Sequence, residues 1–211
     1  MTTVLTDIDD ALAAASGERI VVGVVGPPGA GKSTLARVIV DHYRATRGSG
    51  FVGSLPMDGF HLSNTVLRHL GRLDRKGAPD TFDVGGYVAL LSRAIHSDAD
   101  VYAPDFDHTT GEPISASLIL PASASLIVTE GNYLALDGSW APVRGLVTRL
   151  YYVDAPAAVR RDRLVRRHIA AGRSPSAARA WVDTIDEPNA ALIATTRPTA
   201  DLVIESVSRF R

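Results

Sequence analysis

The sequence predicts an α/β fold in which helices cover both faces of a five-stranded parallel sheet. Five short apolar segments recur along the 211 residues, and most lack the polar alternation of a half-exposed strand. Stretches with helical spacing of apolar residues separate them, an alternation that is typical of a parallel sheet. With 45% apolar and 21% charged residues and no linker rich in Gly, Ser or Pro, we expect a single domain over residues 1–211.

The predicted strands are Ile20–Val25, Phe51–Met57, Ser125–Thr129, Arg149–Val153 and Asp201–Glu205. Helical spacing follows the first strand from Leu35 to Tyr43. It resumes from Val84 to Ile95, after Asp83, which is expected to cap that helix. Between Asp100 and Leu120 the pattern breaks into short extended pieces around "TTGEP", which predicts a small hairpin outside the main sheet.

Composition and charge exclude several classes of protein. A net charge of -1 gives no electrostatic footprint for nucleic acid or an acidic membrane, so a small molecule is the expected partner. The absence of Cys excludes disulfides, thiolate zinc sites and cysteine nucleophiles. The first residues do not form a signal peptide, and no apolar run approaches the roughly 20 residues of a membrane span. We therefore expect a cytoplasmic protein; apolar positions of the N-terminal helix could serve the core or a homodimer interface.

The segment "GPPGAGKS" matches the phosphate-binding pattern G-x-x-x-x-G-K-[ST] between a predicted strand and a predicted helix. Its glycines let backbone N–H groups surround an anion, and the helix N-terminus adds partial positive charge. Lys32, one of two lysines in the chain, would reach the β- and γ-phosphates, and Ser33 would bind Mg²⁺. A compact ammonium suits such a loop better than the planar fork of arginine. The residues expected to bind the nucleotide phosphates are Gly26, Pro27, Pro28, Gly29, Ala30, Gly31, Lys32, Ser33 and Thr34.

Two acids follow neighbouring predicted strands. Asp58 closes the second strand in "PMDGFHLSN", and Glu130 closes the third in "LIVTEGNY". Ligands bind outside the carboxyl ends of such strands, so both acids should converge on the phosphate loop, although either alone could be a helix or turn cap. Glu130 suits a group that holds Mg²⁺ directly or through water. Asp58 suits a base that accepts the proton of an attacking hydroxyl.

Four blocks, "MDGFHLSN", "RKGAPDTFD", "VYAPDFDH" and "VTEGNYL", carry a resemblance. Their order resembles that of the phosphoribulokinase, uridine kinase and bacterial pantothenate kinase superfamily, especially its small bacterial members, which are nucleoside/nucleotide kinase-like or sugar kinases linked to fructose transport. With the phosphate loop, the similarity covers roughly residues 20 to 205. It implies a P-loop NTPase fold, ATP as donor and a hydroxyl-bearing metabolite as acceptor. It also implies that Asp58 is the catalytic base and that His108 helps to bind the acceptor.

The same blocks supply candidate acceptor-binding residues. Lys76 lies in "RKGAP", a block that the resemblance puts near the active site, although a lysine in a loop is usually a solvated charge. We expect His61 and Asn64 to share a face of the helix after Asp58, unless one is a turn residue and the other a cap. The further candidates of this kind are Asp105, His108, Asn132 and Tyr133.

Arginines cluster in "AAVRRDRLVRRHIAAGRSP". Arg160, Arg163 and Arg167 are spaced to line one helix face, which could be a solvated surface. The resemblance instead puts a helical, Arg-rich lid here, over approximately residues 157–180, in which Arg163 and Arg167 would offset charge on the transferring group. It also puts the C-terminal stretch near the adenine, with Asn189 and Arg197 as candidate contacts.

The sequence therefore predicts an ATP-dependent kinase that uses Mg²⁺ and phosphorylates a hydroxyl of a small metabolite. A sugar or polyol is the first choice of acceptor, mainly by resemblance, and a nucleoside or pantothenate is the alternative. Two other classes stay open: an ATPase or nucleotide-dependent regulator without a metabolite acceptor, and a catalytically silent binding module. The acceptor-side blocks argue against the first, and the presence of both Asp58 and Glu130 argues against the second.

Overall fold

A five-stranded parallel sheet with strand order β2-β5-β1-β6-β7 forms the centre of the structure, a computed structural model that describes residues 1–205. The strands are β1 (Ile20–Val25), β2 (Val52–Pro56), β3 (Val101–Asp107), β4 (Glu112–Leu120), β5 (Leu126–Glu130), β6 (Arg149–Asp154) and β7 (Leu202–Glu205). The helices are α1 (Thr2–Ala14), α2 (Lys32–Arg47), α3 (Asn64–His69), α4 (Val84–His96), α5 (Ala141–Arg144), α6 (Ala157–Ala170), α7 (Pro175–Trp181) and α8 (Glu187–Ala194). The predicted parallel sheet is confirmed, and no strand end differs from its predicted position by more than one residue.

The register of the sheet brings three chain segments to one edge. β1 is central and all six of its residues are buried, as its continuous apolar sequence requires. Glu130, the last residue of β5, is level with Val24 in β1 and with Pro56 in β2. The loops that leave β1, β2 and β5 therefore start side by side.

Each face of the sheet has its own core. On one face, α4 packs through Tyr87 and Leu91 against Trp140. On the other face, α1 and α2 bury Ile8 and Leu35. The buried apolar positions of α1 thus belong to the core. The sequence had left open whether they serve the core or a homodimer interface. None of the helices in residues 1–205 is long and apolar enough to cross a membrane.

The predicted hairpin is confirmed as an antiparallel pair, β3 and β4, outside the main sheet. A register shift between Ala103 and Asp105 interrupts its ladder. The backbone at Gly59 packs so closely against this hairpin that a Cβ there would lie 2.3 Å from the carbonyl oxygen of Pro104. Only glycine allows the segment after β2 to approach the hairpin in this way.

The structure corrects two predictions about the segment after β2. The strand ends at Pro56, so Asp58 lies in a 3₁₀ turn, Met57–Phe60, and not at the end of the strand. His61 is not on the next helix, which was one of the two alternatives: it directly follows the 3₁₀ turn and forms an isolated β-bridge with Phe82. α3 begins only at Asn64, because the Ser63 hydroxyl accepts the N–H of Val66 at 3.3 Å and caps it.

Candidate active site

The phosphate loop between β1 and α2 has the backbone geometry that an anion requires. Gly26, Gly29 and Gly31 have φ values of 151°, 76° and 107°, which favour glycine. A Cβ at Gly26 would lie 2.3 Å from the carbonyl oxygen of Val153. No side chain caps the start of α2 at Gly31, so the first N–H groups of the helix have no such partner. The residues therefore fit a phosphate group.

Lys32 is a buried ammonium at the first position of α2. Its side chain is 8% exposed, and Nζ donates to the carbonyl oxygen of Pro27 at 3.2 Å. Burial lowers the pKa of Lys32 to about 8, against the opposing influence of Glu130 and then Asp58. Both acids are thus within electrostatic reach of the ammonium, as expected for a site that is completed by an anion.

Ser33 and Glu130, the two residues predicted to hold Mg²⁺, are in direct contact. The Ser33 hydroxyl donates to Glu130 Oε1 at 2.9 Å. Burial, and next the charge of Asp58, raise the pKa of Glu130 to about 7, while Lys32 lowers it. Residues 1–205 contain no group of three or more acidic, His or Cys side chains close enough to hold a metal. Two oxygen donors fit Mg²⁺, which usually keeps several waters and binds substrate phosphates.

Asp58 lies between the phosphate loop and the acceptor-side segments. Its charge influences the pKa values of Lys32, Glu130 and His61. The backbone carbonyl of Asp58 also accepts a hydrogen bond from His61 Nδ1 at 2.8 Å. A carbonyl oxygen can only accept, so Nδ1 carries the proton and Nε2 is left as an acceptor. Burial lowers the pKa of His61, which favours this neutral form.

Aromatic rings flank His61. Its ring centroid lies 4.0 Å from that of Phe82 and 4.5 Å from that of Phe106, and exposed His108 meets the edge of Phe106 at 5.2 Å. Asp105, also on β3, is half-buried and accepts the N–H of Phe106 through Oδ1 at 2.8 Å. The sequence did not identify the two phenylalanines, because aromatic residues at such spacings are equally typical of a core.

Lys76 and Asn64 bind each other. Lys76 Nζ donates to Asn64 Oδ1 at 2.7 Å and to the carbonyl oxygen of Gly111, and it lies 3.9 Å from Glu112 Oε2. The Glu112 carboxylate accepts the backbone N–H of Asn64 at 3.0 and 3.2 Å. These side chains join α3, the loop after it and the hairpin. Sequence reasoning missed Glu112, since nothing in "TTGEP" indicates a contact 48 residues away.

Tyr133 requires a correction. It is fully buried and its hydroxyl donates to the carbonyl oxygen of Gly77. It therefore holds the loop that contains Gly77 in place and has no exposed surface with which to bind an acceptor. Its ring packs on Phe82 and Trp140 within the core. Asn132, which precedes it, is half-buried just after β5.

Two arginines on one face of α6, Arg160 and Arg163, contact the phosphate loop. Their spacing predicted the shared face, and the resemblance implied the position near the phosphates. Arg160 is 7% exposed; its Nη1 donates to the carbonyl oxygen of Pro28 at 3.4 Å and lies 3.6 Å from Glu187 Oε1. Arg163 Nη1 donates to the carbonyl oxygens of Gly29 and Ala30 at 3.1 and 3.4 Å. Their partners in this structure are therefore loop carbonyls.

Arg167 continues this face one turn further on. Its side chain is exposed, yet its charge lowers the pKa values of both Lys32 and Glu130. Arg166 points elsewhere and forms an exposed ion pair with Asp162 at 3.0 Å. Arg166, which does not share the spacing of the other three arginines, thus lies on the surface.

Two residues of α6 bind the π-helical segment Val182–Asp186. His168 Nε2 lies 2.8 Å from Asp186 Oδ2, and Arg161 donates to Asp183 at 2.5 Å. The region predicted as a lid thus consists of α6 and α7 held by acids that follow them.

The two C-terminal candidates lie in different places. Arg197 Nε lies 3.3 Å from Asp154 Oδ2, at the carboxyl end of β6. Asn189 is a correction, because its amide donates to the carbonyl oxygen of Gly77 at 3.5 Å. This contact is with the acceptor-side loop, whereas the resemblance implied the adenine.

Comparison with known proteins identifies related chains. A model described as the phosphoribulokinase / uridine kinase family matches residues 21–210. A "putative uridine kinase" of Schizosaccharomyces pombe (strain 972 / ATCC 24843) is 31% identical over 202 residues, which cover 90% of this chain and 84% of the relative. A pantothenate kinase of Chelativorans sp. (strain BNC1) is 29% identical over 212 residues, covering 87% of this chain and 66% of the relative. The crystal structure of a "putative fructose transport system kinase" from Silicibacter sp. TM1040 is 32% identical, has a TM-score of 0.80, and covers 92% of this chain and 98% of that one.

Proposed function

The chain belongs to the phosphoribulokinase / uridine kinase family and is an ATP-dependent small-molecule kinase, and we propose that it transfers the γ-phosphoryl group of ATP to a hydroxyl of a sugar or polyol. The observation that carries this proposal is the register of the sheet, which brings the phosphate loop with Lys32, the turn with Asp58 and the strand end with Glu130 side by side. In agreement with this, the charges of Glu130 and Asp58 both raise the pKa of Lys32 against the effect of burial. A phosphate-binding cation, a metal-binding acid and a base are the parts that phosphoryl transfer to a hydroxyl needs.

On the donor side, residues 26–34 would hold the phosphates through backbone N–H groups and Lys32. Ser33 and Glu130 would hold Mg²⁺, which neutralises developing charge on the phosphoryl oxygens. Arg167 and Arg163 would add positive charge as the region 157–180 closes and excludes water, a competing nucleophile. With ATP as donor, we also propose the cytoplasm as its compartment.

On the acceptor side, the Asp58 carboxylate would accept the proton of the attacking hydroxyl and orient its oxygen towards phosphorus. His61 Nε2 offers a second acceptor for a neighbouring hydroxyl, because Nδ1 is committed to the Asp58 carbonyl. Two adjacent acceptors suit a compound with several hydroxyl groups. Nucleosides and pantothenate are the alternatives, on the strength of relatives described as kinases of uridine and pantothenate.

A coupled assay of ADP release, run with and without a panel of sugars, polyols, nucleosides and pantothenate, tests the proposal. We expect turnover that depends on the acceptor and is highest with a sugar or polyol. Asp58→Asn should keep nucleotide affinity and lose on the order of 10²- to 10⁴-fold in kcat, the usual contribution of a general base. ADP release independent of any acceptor would indicate an ATPase, and full activity of Asp58→Asn would disprove its role as base.

A further inference from the structure

Lys76 is a largely buried ammonium on the acceptor side of the site, with two hydrogen bonds and one neighbouring carboxylate. Its side chain is 15% exposed, and it donates to Asn64 Oδ1 and to the Gly111 carbonyl. An ammonium has three N–H donors, and the remaining one has Glu112, 3.9 Å away, as its charged neighbour. An anionic ligand that bound Lys76 would therefore also meet the negative charge of Glu112.

Glu112 is held where it balances that charge. Both of its oxygens accept the backbone N–H of Asn64, the residue whose side chain also binds Lys76. The carboxylate therefore belongs to the same closed cluster, and its side chain is 32% exposed. Glutamine at this position would remove the charge and keep one oxygen that can accept the backbone N–H of Asn64.

The remaining charges on this side do not favour an anion. The charges of Asp58, Lys76 and His108 act on the pKa of His61, which burial lowers. His61 is therefore neutral, with its proton on the Nδ1 that donates to the Asp58 carbonyl. The nearby arginines of the loop are committed elsewhere: Arg75 binds both carboxylate oxygens of Asp80 at 2.9 and 2.6 Å. With Lys76 balanced by Glu112, and with Lys32 bound to the ATP phosphates as the proposed function requires, the Asp58 carboxylate leaves an excess of negative charge. A phosphate or carboxylate on the acceptor would be repelled, whereas hydroxyl groups would find acceptors.

We propose that Glu112 sets the charge specificity of this site, so that it admits uncharged polyhydroxy compounds and rejects phosphorylated or carboxylated ones. This inference rests on the proposed function. The reaction is the same for every acceptor: the hydroxyl oxygen bonds to the γ-phosphorus, the bond from phosphorus to the bridging oxygen breaks, ADP leaves with that electron pair, and the proton passes to Asp58.

The test uses pairs of acceptors that differ in one charged group: glycerol with D-glycerate, ribose with ribose 5-phosphate, and pantothenol with pantothenate. For whichever pair is phosphorylated, we expect kcat/KM of the neutral member to be at least about tenfold higher, the size of effect that one unfavourable charge contact produces. Preference for the anionic members would overturn this inference and leave the proposed kinase function standing. Failure of every acceptor in a protein that still binds ATP would overturn the proposed function and this inference with it.

Glu112→Gln tests the residue itself. We expect kcat/KM for the anionic members to rise about tenfold relative to the neutral ones, with KM for ATP unchanged. Asp107→Asn is the matched control, because it removes a charge from the same hairpin at a carboxylate that binds Thr109 and Thr110. An unchanged ratio in Glu112→Gln, or an equal change in Asp107→Asn, would overturn the assignment.

Lys76→Met provides a second variant in case Glu112→Gln does not fold. It leaves Glu112 without its counter-charge, so activity with anionic members should fall further than activity with neutral ones. If Lys76 instead bound an anionic group of the acceptor, its loss would abolish a preference for anionic members. An equal loss with both members would show that the cluster acts only on structure, and would also overturn the inference.

Discussion

The Ser33 hydroxyl donates to Glu130 Oε1 across 2.9 Å, joining the first turn of α2 to the last residue of β5. In the absence of a metal, this hydrogen bond keeps two oxygen donors together beside Lys32. It also compensates part of the cost of a buried carboxylate, whose pKa is raised to about 7 by burial and by Asp58. The hydrogen bond thus keeps together the two side chains that would hold Mg²⁺ in the proposed function.

Glu130→Gln should separate the charge of this pair from its hydrogen bond. The amide oxygen can still accept from Ser33, but it binds Mg²⁺ poorly, so we expect a loss on the order of 10- to 100-fold in apparent metal affinity and a lower kcat. Titration of activity with Mg²⁺ at fixed ATP measures both effects. Glu18→Gln, before β1 and at the opposite edge of the sheet, serves as control. Metal dependence identical to wild type would contradict the role of Glu130.

The buried charge of Lys32 should make the nucleotide-free protein less stable. Its pKa is about 8 in the folded state and 10.5 in the unfolded state, so below pH 8 both states are charged and folding bears the full cost of burying the charge. The difference corresponds to about 3 kcal/mol. Lys32→Met should therefore raise the free energy of unfolding at pH 7 while abolishing kinase activity.

The pH dependence gives that prediction its check. Between pH 8 and 10.5 the unfolded state binds the proton that the folded state has lost, so the wild type gains stability relative to Lys32→Met as the pH rises. Urea denaturation at pH 7 and at pH 10 measures the difference in the free energy of unfolding between the wild type and Lys32→Met. If this difference were the same at both pH values, or if the variant were less stable than the wild type at pH 7, burial of the Lys32 charge would not be destabilising.

The donor side was predictable because its chemistry lies in one continuous segment. The glycines, Lys32 and Ser33 are fixed by local backbone needs, and the strand order follows from alternation of apolar segments. The acceptor side was not predictable in this way, because its contacts join segments that are far apart in the sequence. Glu112 lies beside Asn64 and Lys76 because the hairpin packs against Gly59. Spacing alone put His61 on a helix, since it cannot register a 3₁₀ turn imposed by that packing.

The arginines of α6 should differ in their effect on catalysis. Arg163 lies on the phosphate loop and Arg167 within reach of Lys32 and Glu130, whereas Arg166 pairs with Asp162 at the surface. Arg163→Ala and Arg167→Ala should each lower kcat, by on the order of 10- to 10³-fold for loss of charge at the transferring group. Arg166→Ala is the matched control and should stay near wild type. Equal losses in all three variants would indicate a general effect of α6 on folding.

Arg19 should contribute to stability without taking part in the reaction. It lies just before β1, at the sheet edge opposite the phosphate loop, and its guanidinium donates to the carbonyl oxygens of Ala122 and Ala124, both at 2.6 Å, and to that of Ala94 near the end of α4. Arg19→Met keeps the aliphatic stem but leaves these carbonyls unpaired, so we expect the free energy of unfolding to fall by about 3 kcal/mol. Arg37→Met, on the exposed face of α2, should change it little. KM for ATP should be unchanged in both variants, and a selective rise in Arg19→Met would mean that this edge of the sheet is coupled to the site.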